Sequence, residues 1–265
     1  MRWPVDRSTI IGIIVAIGGI LLGLLLEGGK IAQILQPTAA LIVFGGTLGA
    51  VLVQYPLPVV ITAMRRLRSV FLEPELCPST IVEQLTTLAL RARREGIIAL
   101  DEELTNVSDD FTRKAVMLAV DGSESSELRS IMHFEMQARE EHDEEIARVY
   151  ESAGGFSPTI GIIGAVLGLI QVMQHLDNID EVGRGIAVAF VATIYGVGAA
   201  NLVFLPVAGK LRARARNEQI MREMALEGAV SILEGMNPRI LETKLNGYIV
   251  PSQPKTHGKS AKVHA

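Results

Sequence analysis

The chain has 265 residues, and 25 Lys and Arg against 29 Asp and Glu leave a formal net charge of −4. Residues 65–151 hold 11 basic and 19 acidic groups, more than half of all the charges, whereas four long stretches elsewhere hold none. That segregation excludes an ordinary soluble globule and a basic nucleic-acid binder. The single cysteine, Cys77, excludes an intramolecular disulfide framework and a multi-cysteine metal site.

The first apolar stretch, TIIGIIVAIGGILLGLLL at 9–26, carries no charge until Glu27. The second, PTAALIVFGGTLGAVLVQYP, fills 37–56; the third lies between Glu151 and Asp177 and the fourth between Arg184 and Lys210. Each has about the ~20 residues a helix needs to cross a hydrocarbon core. Helices are the expected form, because lipid leaves open strand edges unsatisfied. The predicted spans are about 9–26, 37–56, 157–176 and 185–207. Arg2 and Arg7 give a basic start, but no small-residue cleavage pattern precedes Glu27-Gly28-Gly29-Lys30, so the first span reads as an uncleaved anchor.

Basic residues beside the spans set the expected orientation. Arg65, Arg66 and Arg68 follow the second span, and Lys210, Arg212, Arg214 and Arg216 follow the fourth, while the two short connections carry only Lys30 and Arg184. Both termini and the charged block are therefore expected in the cytoplasm. The predicted fold class is an all-α integral membrane protein: four transmembrane helices with a large helical cytoplasmic domain between helices two and three. Its expected parts are a membrane hairpin (1–64), the cytoplasmic domain (65–151), a second hairpin (152–209), an amphipathic helix (210–246) and a disordered tail (247–265).

Within the cytoplasmic block, Thr80 and Glu83 have capping-box spacing, followed by Leu85, Leu88, Ala89 and Ala92 at helical spacing. Gly96 interrupts, and a short piece continues through Ile98, Leu100 and Leu104. Residues 111–120 read as a helix stopped at Asp121-Gly122, and a long helix follows from about Glu124 to Glu151. After the fourth span an amphipathic helix runs to Gly235. The Lys-, Ser- and Pro-containing end has the composition of a disordered segment.

No catalytic constellation and no metal-ligand pattern emerges, and no cofactor is expected. Gly258-Lys259-Ser260 resembles the end of a phosphate loop, but Gln253 stands at its first glycine; Gly196-Val197-Gly198 lies inside a span with no strand before it. His133 and His142 do not have zinc-binding spacing.

The third and fourth spans differ from the first two. Gly161, Gly164, Ala165 and Gly168 fall near one stripe, and Gly185, Ala189, Thr193, Gly196 and Ala200 follow three- and four-residue steps. Small residues let helices approach closely, either within the chain or around another chain's helices. Pro158 enters the third span, as a first-turn proline or a break; Pro206 predicts a bend in the fourth. Ion-moving spans usually carry a buried carboxylate. These four have none, so a moved ion would need a carboxylate from a partner.

SPTIGIIGAVLGLIQVM (157–173), IAVAFVATIYGVGAANLVFLPVA (186–208), GMNPRILETKL (235–245) and ARREGIIALDEEL (92–104) resemble the MotA/PomA family of flagellar motor stator subunits, within the MotA/TolQ/ExbB proton channel superfamily. The likeness covers 9 to about 251. It implies a ring, thought to be five subunits, around two copies of a MotB-like single-span partner that supplies the ion-binding Asp and anchors to peptidoglycan. Ion flow then drives torque on the rotor protein FliG from the bacterial inner membrane. The resemblance places rotor-contact charges on Arg93 and Asp101, with Arg94 and Glu102 as neighbours; family members commonly carry Glu where Asp101 stands. It places coupling prolines on Pro158 and Pro206, and an ion-path threonine on Thr193. Sodium-type members carry a second threonine where Ala165 stands, so one oxygen ligand for a hard cation is missing here and protons are implied. The competing expectations are an ExbB- or TolQ-like energiser of outer-membrane processes, a non-conducting membrane scaffold, and a solitary secondary transporter, for which no inverted repeat is present.

Overall fold

Hydrocarbon gives a backbone no hydrogen-bond partners, and the apolar runs answer by closing their own helical bonds. A computed structural model describes residues 6–72, 78–107 and 109–249. Cys77 and the Gly258-Lys259-Ser260 run lie outside them. Among the described residues, four helices are long and apolar enough to cross a membrane. Helix α1, Arg7–Leu26, is capped by Asp6 and buries none of its residues. A single 3₁₀ turn, Ile31–Ile34, precedes α2, Pro37–Ala40, which passes through a π turn, Leu41–Gly45, into α3, Gly46–Gln54.

Tyr55 is extended, and a new helix, α4, Leu57–Val70, starts behind Pro56. It carries Arg65, Arg66 and Arg68, the three arginines expected to follow the second span. Helix α5 spans Pro78–Glu95. It begins at a proline, which tolerates the first turn because its missing amide had no partner there. Thr80 therefore sits inside the helix rather than capping it, a correction to the expected capping box. Gly96, at φ +89°, turns the chain into a 3₁₀ segment, Ile97–Asn106. Helix α6, Asp110–Val120, is capped by Asp109, whose carboxylate accepts from the Thr112 amide at 2.7 Å.

Helix α7 is unbroken from Ser125 to Gln174. The expected soluble helix and the third span are thus one 50-residue helix with no joint near residue 151. Helix α8, Ile179–Ala199, runs through a second π turn, Ala200–Phe204, into α9, Leu205–Leu233. Gly235, at φ +72°, ends that rod, and Asn237 caps α10, Pro238–Asn246. The stretch 210–246, expected as one amphipathic helix, therefore holds two helices.

Two compact units result. One gathers the described residues within 1–75 and 137–218 and holds the spans. Its core joins Val51, Val60, Ala63, Ile146, Ala147, Tyr150, Val207 and Leu211. The Tyr150 hydroxyl donates to the Ala63 carbonyl at 2.8 Å, and burial pushes the phenol up to about 12. Asp6 is tied to Lys210 and Arg214, and Arg212 to Glu144 and Glu151.

The other unit gathers the described residues within 76–136 and 219–265. Leu85, Leu88, Leu100, Phe111, Leu128, Met132, Met224, Leu226 and Leu241 form its core. Tyr248 and Ile249, assigned to the tail from sequence, pack against that core. Residues 250–265 of the expected tail lie outside the described residues.

Candidate functional site

Small residues make α7 and α8 nearly touch. A Cβ added to Gly196 would sit 2.6 Å from the Ser157 carbonyl oxygen and 3.1 Å from the Gly161 Cα. One on Gly161 would meet the Ala192 oxygen at 2.9 Å, and one on Gly168 the Ala189 nitrogen and Gly185 oxygen, each at 2.8 Å. One on Gly164 would meet the Ala192 Cβ at 2.8 Å and Ile42 of the π turn at 3.3 Å. Real Cβ atoms do not approach so closely; Gly161, Gly168 and Gly196 require glycine because of backbone proximity, and Gly164 because of the Ala192 side chain.

Gly161, Gly164, Gly168, Ala189 and Gly196 are all buried against each other's helices inside one chain. Of the two uses left open by sequence, the stripe serves the intrachain one. Faces left for other chains or lipid are larger and apolar: Ile162, Ile163, Val166, Leu167 and Ile170 on α7, with Phe190, Ile194 and Val197 on α8. Ala165 and Thr193 are half-buried, and the Thr193 hydroxyl donates to the Ala189 carbonyl at 3.2 Å.

Both prolines sit where a helix continues through them. Pro158 lies deep inside α7 and not in a first turn. Pro206 follows the Ala200–Phe204 π turn, which absorbs the distortion expected where a proline ring crowds the carbonyl four residues earlier. The irregularity thus precedes Pro206 rather than centring on it. Tyr195 ties α8 to the connection before α2: its hydroxyl donates to the Ile34 carbonyl at 2.6 Å and accepts from the Gln36 amide at 3.3 Å.

The predicted charges lie in the other unit. Arg93 and Arg94 close α5, and Asp101 and Glu102 lie on the 3₁₀ segment after Gly96. All four are exposed. Arg93, Arg94 and Asp101 have no ion pair among the described residues, whereas Glu102 is held by Arg91 at 2.8 Å. Arg91 also pairs with Glu95 at 3.0 Å and with Glu103. Hydrogen bonds from Asn106 and the nearby Arg91 charge hold the Glu103 carboxyl below the ordinary range. Arg91 therefore staples the end of α5 to the next segment and sets the spacing of the free charges around it.

Two family models match the chain: the motility protein A N-terminal family over residues 10–96, and the MotA/TolQ/ExbB proton channel family over residues 103–224. Motility protein A of Bacillus subtilis (strain 168) is 35% identical over 245 residues, covering 92% of this chain and 91% of its own length. The chain belongs to the motility protein A family. Among solved structures it is similar to the C. jejuni MotAB structure, with TM-score 0.89, 32% identity and coverage of 94% of this chain and 98% of that one. The flagellar MotAB stator complex from Bacillus subtilis gives TM-score 0.86 and 34% identity, over 92% and 96% of the two chains.

The structure also brings out residues the sequence pattern did not single out. Arg91 left a faint signal, its i,i+4 spacing from Glu95. Asp6 left none, because its partners Lys210 and Arg214 lie some two hundred positions away. Tyr195 is a neutral residue in a span, and its long-range bonds to 34 and 36 come from the tertiary fold alone.

Proposed function

We propose that this chain is the multi-pass subunit of a bacterial flagellar motor stator. With a MotB-like single-span partner it forms an ion channel that converts ion flow into torque for motility. The observation that carries this reading is the neutrality of the membrane helices in a chain of a proton channel family: none of the predicted spans holds an Asp, Glu, Lys or Arg. An ion crossing such a wall must be carried by an acid on another chain's helix. A partner aspartate supplies it, and the apolar faces of α7 and α8 surround that helix.

The ion is a proton. Ala165 offers no side-chain oxygen, and the Thr193 hydroxyl is engaged with its own helix, so an oxygen cage for sodium is poorly provided. Arg93, Arg94, Asp101 and Glu102 face the rotor protein FliG in the cytoplasm, where exposed, screened pairs form and break easily. Pro158 and Pro206 couple protonation of the partner to helix movement. Five copies ring two partner chains in the inner membrane, with both termini cytoplasmic.

The test is genetic. In a strain that swims on this stator alone, Arg93→Glu or Asp101→Arg lowers torque with normal membrane levels, and opposite reversals on FliG restore it. Unchanged swimming in both variants would refute the rotor assignment.

A further inference from the structure

Ser157 is completely buried, and its hydroxyl has no hydrogen-bond partner among the described residues. Buried hydroxyls in helices nearly always find one, commonly a carbonyl three or four residues back. The next residue is Pro158, which has no amide to offer the Gly154 carbonyl in the ordinary i to i−4 step. An unused donor thus stands beside an acceptor that has lost its regular partner.

The surroundings fix the place. The Ser157 carbonyl faces Gly196, and a Cβ at Gly154 would lie 2.7 Å from Leu205, next to Pro206. The two proline-bearing stretches of helix are therefore packed directly on one another.

We propose that Ser157 is a positioning residue for the stretch of α7 around Pro158. Its hydroxyl is the alternate donor to the Gly154 carbonyl, so this part of α7 has two hydrogen-bonded states. In one the hydroxyl is idle, as described here. In the other, rotation about χ1 turns it back onto Gly154, which bends a helix at that point. The bend redirects the part of α7 immediately preceding it and shifts the contact with Leu205. This inference rests on the stator reading for its consequence in torque, but not for the hydrogen-bond exchange itself.

Amide hydrogen exchange on the full-length chain, co-purified with its single-span partner in lipid nanodiscs, tests it. The segment read is 154–162, in the native chain and in Ser157→Ala, Pro158→Ala and the double variant. If the hydroxyl serves Gly154, Ser157→Ala speeds exchange about fivefold, the worth of one hydrogen bond. In the Pro158→Ala background it does nothing, because the restored amide takes over. If the hydroxyl serves no one, Ser157→Ala removes an unsatisfied buried group, and exchange slows or stays the same; that result overturns the proposal. Equal acceleration in both backgrounds also overturns it, as it marks a packing role only.

Swimming provides the second arm. Ser157→Ala at normal membrane level is expected to reduce speed at least about twofold, tracking the exchange shift. A shifted exchange with native swimming overturns the torque role while Pro158→Ala remains impaired. Native swimming in Pro158→Ala as well would locate the failure in the stator reading instead.

Discussion

The α7–α8 contact and the Arg91 edge solve opposite problems with opposite materials. In the first, glycines bring two backbones within contact distance, and no ionisable group takes part. In the second, exposed arginines and carboxylates surround a 3₁₀ segment, and a single guanidinium holds three of the carboxylates. Close packing has a steep distance dependence, so an added methyl is felt at once. Surface charge is shallow and screened, so individual changes are absorbed. In the proposed stator, the part that guides an ion would use the first property, and the part that engages and releases a moving surface the second.

The largest effect that separates the two regions is expected at Gly196. Gly196→Val drives a side chain into the Ser157 carbonyl and should cost about 3 kcal/mol, the upper end for overpacking. The loss reads as lower thermal stability in detergent and reduced membrane level. Gly198→Ala, where nothing lies within 4 Å, should stay within about 0.5 kcal/mol. Equal behaviour of the two would show that backbone proximity does not govern this pair.

Next comes Asp6. Its carboxylate is nearly buried, accepts from Lys210, Arg214, Ser8 and the Thr9 amide, and is held well below the usual carboxylate range chiefly by Lys210. Asp6→Asn should cost about 2 kcal/mol, the worth of charge-assisted hydrogen bonds. Lys210→Met, leaving the carboxylate with Arg214, should cost less. An unaltered melting temperature in Asp6→Asn would deny this knot any role in stability.

A smaller, pH-dependent effect belongs to Glu227. Arg129, desolvation and Lys244 together leave its carboxyl at about 2, the two cations outweighing burial. Because its folded value lies below the ordinary 4.5, the pairing contributes fully above that pH and is lost as pH falls toward about 2. Glu227→Gln should therefore lower stability at neutral and alkaline pH and flatten the acid limb of an unfolding profile, the two proteins converging as pH falls toward about 2. The smallest effect on stability is expected from Arg91→Ala, with no resolvable change in melting temperature. Its consequence is a looser spacing of Arg93 and Asp101, seen as broadened distances between spin labels at 93 and 101. Unchanged distance distributions would remove Arg91 from any positioning role.

Span number and helical class were legible because twenty-residue charge-free runs have one physical solution in lipid. The small-residue stripe was also visible, but periodicity alone cannot say which surface it meets. Only the distances at Gly161, Gly168 and Gly196 assign it to the partner helix of the same chain. The continuity of α7 was hidden by a composition change near residue 151, since a helix entering lipid changes its residues without changing its backbone. Helix α4 was hidden for another reason: the second span was already complete at Pro56, and the mixed apolar and basic run that follows gave no separate helix signal. Asp6 and Tyr195 act through partners far away in sequence, where local pattern carries no information.

The neutrality of the wall has one decisive consequence. Proton flux into vesicles should be absent when this chain is reconstituted by itself. It should appear with a single-span partner whose plug has been removed, and vanish when that partner's aspartate becomes asparagine. Flux through this chain alone, or flux that survives the partner substitution, would contradict the assignment of the titrating group to the other chain.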